Sequence, residues 1–172
     1  MFKKYLFLFI YRIFAQHLPP SGKSKLAKKI RYFCCKRIFK YIGKNVNIER
    51  RAYFAKGFEL SIDDNSGIGI NCSVPGDITI GKNVLMGPNV FIFGGTTHVF
   101  KDPETPIKFQ GYERCRKVVI EDDIWIGRDS TINQGRIIKT GTIIAAKSVV
   151  TRDFPPYSII GGNPANLIKM RK

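Results

Sequence analysis

From residue 42 onward, aliphatic residues recur at every sixth position. Ile62, Ile68, Val74, Ile80, Met86 and Ile92 form one register, and Ile120, Ile126, Ile132, Ile138, Ile144 and Val150 form a second. A looser set, Ile42, Ile48 and Phe54, precedes them. Small or turn-forming residues follow many anchors, as in Ile80-Gly81, Met86-Gly87, Ile126-Gly127 and Ile144-Ala145, while Val84, Val90, Ile124 and Ser148 fill the fifth place. This period matches neither the helical repeat of about 3.6 nor simple strand alternation, and it predicts short strands joined by tight turns. If three hexads close one triangular coil, each anchor points inward and stacks on an anchor of the next coil, about 4.8 Å along the axis. A single coil cannot bury its own apolar corner, so several must stack and both ends need caps. The interval from Ile92 to Ile120 is not a multiple of six, so residues 93–119 are read as an inserted loop.

Residues 1–44 follow a different pattern. MFKKYLFLFIYRIFAQHL opens with two lysines and an apolar run from Tyr5 to Tyr11, too short to span a bilayer core of roughly 20 apolar residues and without a small-residue cleavage site. Beyond the break at Pro19-Pro20-Ser21-Gly22, Leu26, Ile30, Phe33 or Cys34, Arg37 or Ile38, and Tyr41 recur at steps of three or four, which predicts a helix with a lysine-rich opposite face. Basic amphipathic helices rich in aromatics favour the interface of an anionic membrane. Peripheral membrane contact through residues 1–44 is one expectation, and packing of these helices on the main domain or another subunit is the other. The segment is also a candidate cap for the first coil, and the tail from Pro155-Pro156 a candidate cap for the last.

The chain has 172 residues, 44% of them apolar and 24% charged, as expected of one ordinary domain. The net charge of +16 is local: residues 1–44 hold twelve Lys or Arg and no Asp or Glu, and the first acid is Glu49. No nucleic-acid reading motif accompanies that charge, so no nucleic-acid partner is expected. The four cysteines, at 34, 35, 72 and 115, have no disulfide or zinc spacing and suit a reducing, cytoplasmic compartment. With only His17 and His98 in the chain, a three-histidine metal site within one subunit is excluded, and no metal is expected.

The segments ITIGKNVLMGPNV at 78–90, His98 in the following loop, IEDDIWIG at 120–127 and SVVTRDFPPYSIIGGNPANLIKMR at 148–171 together resemble the hexapeptide-repeat acyltransferases. The resemblance is strongest to sugar and polysaccharide O-acetyltransferases of the galactoside, maltose and capsule-modifying kind. It implies an all-β, left-handed parallel β-helix over residues 45–172, behind the helical segment 1–44, with the inserted loop and a C-terminal tail at 155–172. The left hand comes from the resemblance alone, because general chirality rules favour right-handed crossovers. A homotrimer with active sites between neighbouring prisms is implied in the same way.

A hydroxyl attacks a thioester only when a base stands within hydrogen-bond reach of it, and His98 is the residue suited to that role. The resemblance places it as the catalytic histidine of direct acetyl transfer from acetyl-CoA to a carbohydrate hydroxyl. Asp77, Asp102 and Glu104 are open alternatives for the acid that orients it, while Cys72 and Cys115 lie in no recognisable nucleophile setting. Asn71 resembles an acceptor-binding asparagine and is equally a corner residue tolerant of left-handed backbone. Coenzyme binding is implied for Trp125, Gly127, Ala145, Thr151 and Arg152, and more weakly for Lys169 and Arg171. Arg128 departs from the usual small residue beside Gly127. Competing readings are a xenobiotic O-acetyltransferase, which the tail GGNPANLIKMRK also resembles, and a nonenzymatic solenoid scaffold or membrane adaptor.

Overall fold

A computed structural model describes residues 1–171. Its body is a three-faced left-handed parallel β-solenoid made of two-residue strands. On the first face, Ile42, Ile62, Ile80, Ile120 and Ile138 stack in successive parallel pairs. On the second, Met86, Ile126, Ile144 and Ile160 do the same above the pair Ile48 and Ile68. On the third, Ile92, Ile132 and Val150 are joined from below by bridges linking Tyr53, Ser73 and Phe91. Both hexad registers therefore point into the prism, and all twelve of those anchors except the half-buried Met86 are buried.

The corners need a residue with positive φ. One edge carries Asn45, Asn65, Asn83, Asp123, Gly141 and Tyr157, and the next carries Asn71, Asn89, Asp129 and Lys147, all with φ between 53° and 75°. Asn and Asp dominate because they tolerate this region better than other non-glycine residues. Their side chains also ladder between coils: Asn71 donates to Asn89 across 18 positions, and Asn89 donates to Asp129 across 40. Twenty-two residues therefore leave the prism after Ile92 and return without disturbing the stack. They form an antiparallel hairpin of Thr96–His98 and Tyr112–Arg114 with a long outer loop.

The N-terminal end is closed by α1 (Phe2–Ile13) and α2 (Lys25–Ile38), whose Tyr11, Cys34, Cys35 and Ile38 join one core with the coils, together with Ala15 of the turn after α1. The first coil turns a row of backbone carbonyls toward the helices, and side-chain donors meet them. Lys4 donates to Phe58 at 3.1 Å, Tyr11 to Ala52 at 2.7 Å, Arg12 to Ala55 at 2.6 Å, Arg31 to Ile48 at 2.6 Å and Tyr32 to Gly43 at 3.0 Å. Buried carbonyls without partners are costly, so a donor-rich cap suits this end. Arg31 is fully buried, also donates to Pro19 and Ser21, and forms an ion pair with Glu49 at 3.8 Å.

That arginine corrects the expected helix face. Of the positions on the expected apolar face, Cys34 and Ile38 are buried while Leu26, Phe33 and Tyr41 are 68%, 49% and 51% exposed, and α2 also buries Ala27, Arg31 and Cys35. The guanidinium of Arg31 turns inward to backbone carbonyls of Ile48, Leu18 and Pro19. At the other end, Ser158–Gly162 adds a strand to the second face and Ala165–Met170 folds back on it antiparallel, so the tail extends one face of the prism. No helix among the described residues is long and apolar enough to cross a membrane.

Replacing Arg31 with Leu leaves Glu49 without its buried partner and should cost about 3–5 kcal/mol in denaturant unfolding. Burial pushes the Glu49 carboxyl up, but hydrogen bonds from the Ser21 and Arg50 backbone N–H groups and the Asn47 amide outweigh it and hold its pKa below the ordinary value. A carboxyl lowered in the folded state contributes stability above its unfolded pKa of about 4.3, and that stability is lost as pH falls through the folded value. Glu49→Gln should therefore melt earlier than wild type at neutral pH, with the gap closing below about pH 4.

Candidate active site

The stacking register also shapes one edge of the prism. Gly69, Gly87, Gly127, Ala145 and Gly161 follow the second-face anchors one above another, where backbones pass too close for larger side chains. A Cβ on Gly127 would fall on the backbone of Ala145 and Ala146, and one on Gly87 would lie 2.8 Å from the Arg128 nitrogen. On Gly161 it would lie 3.0 Å from the Ala145 Cβ. Glycine is thus required here by the neighbouring coil, independently of any ligand.

Beside this edge lies a mainly apolar groove of about 570 Å³, lined by Gly87, Pro88, Trp125, Gly127, Arg128, Ile143, Ile144, Ala145 and Ala146. It brings together three residues singled out from sequence: Trp125, Gly127 and Ala145. Trp125 precedes the inward Ile126, so strand alternation turns its indole outward, and it is 56% exposed. Arg128 stands at the rim, paired with Asp129 at 3.1 Å.

The remaining candidates lie elsewhere. Thr151 and Arg152 follow the third-face strand Val149–Val150, and Arg152 donates to Asn166 at 2.7 Å with its guanidinium 5.3 Å from the Phe154 ring. Lys169 is exposed on the last strand, opposite Ile159. Arg171 donates to Asp123 at 2.8 Å and to the Gly141 carbonyl at 2.9 Å, so it fastens the tail to the prism. Asn71 sits at a corner with φ of 55° and is committed to the asparagine ladder, which accounts for its residue type there.

His98 is exposed near the root of the hairpin, its ring centroid 4.5 Å from that of Tyr112 on the facing strand. None of the acids considered for it reaches it within one chain. Asp77 pairs with Arg114 at 3.3 Å, and Asp102 is held within its own loop by the Thr105 hydroxyl and the Glu104 N–H. Burial pushes the Cys72 thiol up to about 11, despite hydrogen bonding by Val90, Gly69 and Asn89, so it is a poor source of thiolate. Burial also raises Cys115, with Glu113 and Asp77 adding to the effect.

A second groove, of about 1010 Å³, was not anticipated. It runs along the third face to the foot of the hairpin, where Tyr53, Phe58, Phe91 and Phe93 meet Lys56, Glu59, Asp77, Thr96 and Arg114. The signal was an aromatic residue immediately before the inward positions Phe54 and Ile92, which alternation must expose. Among the described residues, no group of three or more His, Cys, Asp or Glu side chains is placed to hold a metal ion.

No family model matches the chain. Galactoside O-acetyltransferase of Escherichia coli K12 is 32% identical over 156 residues, which cover 89% of this chain and 72% of that enzyme. The chain belongs to the hexapeptide-repeat acetyltransferases related to galactoside and maltose O-acetyltransferases. Maltose O-acetyltransferase of Clostridium difficile 630 superposes with a TM-score of 0.79 at 28% identity, covering 98% of this chain and 86% of that one. A hexapeptide-repeat acetyltransferase of Vibrio cholerae, solved in complex with acetyl coenzyme A, gives a TM-score of 0.73 at 31% identity, covering 88% and 85%. The chain is accordingly an acetyltransferase.

Because the space beside Gly127 is taken by backbone, Gly127→Ala should cost about 1–3 kcal/mol in thermal or denaturant unfolding before any ligand is added.

Proposed function

We propose that this protein transfers acetyl from acetyl-CoA to a hydroxyl of a carbohydrate, either a cell-surface polysaccharide or a lipid-linked glycan precursor. The observation that carries the reading is the single groove joining Trp125, Gly127 and Ala145. An apolar channel with a close-lying backbone and a broad indole fits a pantetheine arm, and Arg128 adds a cation at the rim for phosphate. Thr151, Arg152 and Lys169 are proposed as outer contacts of the coenzyme, as is Arg171 once its bond to Asp123 is exchanged.

In the proposed reaction, His98 takes the proton of the acceptor hydroxyl while that oxygen attacks the acetyl carbonyl. The tetrahedral intermediate collapses with cleavage of the C–S bond, and the imidazolium gives its proton to the departing thiolate. No acyl-enzyme is formed, in keeping with the raised thiol pKa of Cys72. Within one protomer His98 is exposed on a hairpin that also displays Phe100, Ile107 and Phe109. That arrangement supports a homotrimer in which the arm of one prism faces the coenzyme groove of the next, with Asn71 as an acceptor contact. The aromatic groove below the hairpin offers ring faces and charged rims of the kind that hold a sugar. Glycan precursors carried on lipid would be met in the cytoplasm at the inner face of the plasma membrane, with residues 1–44 as the contact.

His98→Ala should lower kcat by about 10²–10⁴ while acetyl-CoA binding and assembly are retained. Near-normal turnover would refute the base assignment. Trp125→Ala should weaken acetyl-CoA binding by calorimetry about tenfold without lowering the melting temperature, because its exposed ring supports no core contact. Mass spectrometry of cell-surface glycan for added acetyl groups, with and without the protein, tests the acceptor class. Acetylation of a soluble drug instead would favour the xenobiotic reading.

A further inference from the structure

Two sets stand out among the cations of the N-terminal segment. Lys4, Arg12 and Arg31 turn inward to first-coil carbonyls, whereas Lys25, Lys28, Lys29 and Lys36 make no side-chain hydrogen bond or ion pair among the described residues. These four lie along one side of α2, at helical steps of three, one and seven, and border a groove of about 900 Å³ floored by Tyr32 and Val46. Apolar side chains are exposed on the neighbouring surface. Phe2, Leu6, Phe9 and Ile13 form a straight stripe on α1 and are 83%, 45%, 61% and 62% exposed. Between the helices, Phe7 and Ile10 of α1 and Phe14 just after it face Ile30 and Phe33 of α2 across a cleft of about 510 Å³ rimmed by Lys29.

We propose that this outer face of α1 and α2 docks on an anionic phospholipid bilayer, with the apolar stripe of α1 entering the headgroup boundary and the lysines of α2 lying among the phosphates. The inference deepens the membrane placement proposed above and is independent of the acetyl-transfer chemistry. Charge decides the occupant. A second copy of this face would bring lysines against lysines, since residues 1–44 contain no acid. A purely polyanionic partner would leave the Phe2–Ile13 stripe in water. A bilayer interface meets both needs, taking apolar side chains at the acyl boundary and cations at the phosphate level. At 12 residues, α1 is too short to cross the bilayer and suited to lie in its plane.

The test is cosedimentation of the full chain with vesicles of phosphatidylglycerol and phosphatidylcholine, or of phosphatidylcholine alone. Wild type should bind the anionic vesicles and bind neutral ones at least tenfold more weakly. The triple variant Lys25→Glu, Lys29→Glu, Lys36→Glu should lose at least a hundredfold in affinity, since each cation near an anionic leaflet contributes about 1 kcal/mol. A variant with the same net charge, Lys82→Glu, Lys108→Glu, Lys117→Glu, should lose much less. Leu6→Ser with Phe9→Ser, which keeps every charge, should lose at least tenfold. Acetyl-CoA affinity measured on each preparation reports folding, so the docking proposal and the enzymatic reading fail separately. Equal binding by the α2 triple variant and the control triple variant would overturn the proposal. So would equal binding to neutral vesicles, or displacement from anionic vesicles by millimolar inorganic phosphate or by RNA.

Discussion

Each inward anchor of the prism is covered by the anchors of the coils above and below, and this vertical contact governs what the rest of the chain is free to do. A two-residue strand has little stability of its own, so the stack of Ile42, Ile62, Ile80, Ile120 and Ile138 and its counterparts on the other faces must stay in register. An insertion is tolerated only if it leaves the coil and rejoins it at the same height. The hairpin carrying His98 meets that condition: Asn89 still reaches Asp129 at 2.8 Å, although 40 positions separate them. A histidine on such an arm can project from the prism at no cost to the core, and its surroundings are then supplied by whatever surface the arm meets.

The same constraint shapes the groove beside Trp125. From Ile68 upward, coils at strand spacing bring the backbones after the second-face anchors into contact, and Gly or Ala follows every anchor there. The neighbouring outward position is free of packing demands, which lets Leu85, Trp125 and Ile143 line an apolar surface. Close backbone and broad apolar side chains thus lie together as a consequence of stacking, and Gly127 serves the fold and the groove at once. The exposed aromatic residues of the third face arise in the same way, from outward positions beside buried anchors.

This reasoning also explains what could be read in advance. The prism, its inserted loop and the juxtaposition of Trp125, Gly127 and Ala145 depend on one repeating spacing, and a spacing is visible in a sequence. Arg31 could not be placed so, because its burial depends on carbonyls of Leu18, Pro19 and Ile48 that only the assembled cap brings together. Nothing local in the sequence reveals the bond from Arg171 to Asp123, which is 48 positions away. Asn71 has two readings in the sequence, and its corner geometry and bond to Asn89 become visible only in the folded prism. Asp77 and Asp102 are engaged by Arg114, Thr105 and the Glu104 N–H in the folded chain, contacts that the sequence alone does not display.

Basicity at the N-terminus has a structural source and a remainder. Carbonyls of Gly43, Ile48, Ala52, Ala55 and Phe58 face the helices, so a cap that brings Lys, Arg and Tyr hydroxyls satisfies them, whereas a carboxylate facing these oxygens would meet like partial charge. That argument accounts for Lys4, Arg12 and Arg31 and for the lack of acids on the inner side of the helices. It does not extend to the outer side, where a carboxylate would be fully solvated and would favour α2 as an i to i+4 partner of its lysines. The outer face carries none, and it leaves Phe2, Phe9 and Ile13 uncovered beside those lysines. Folding alone gives no reason to keep exposed apolar side chains and unpaired cations together, whereas contact with an anionic amphiphilic surface does.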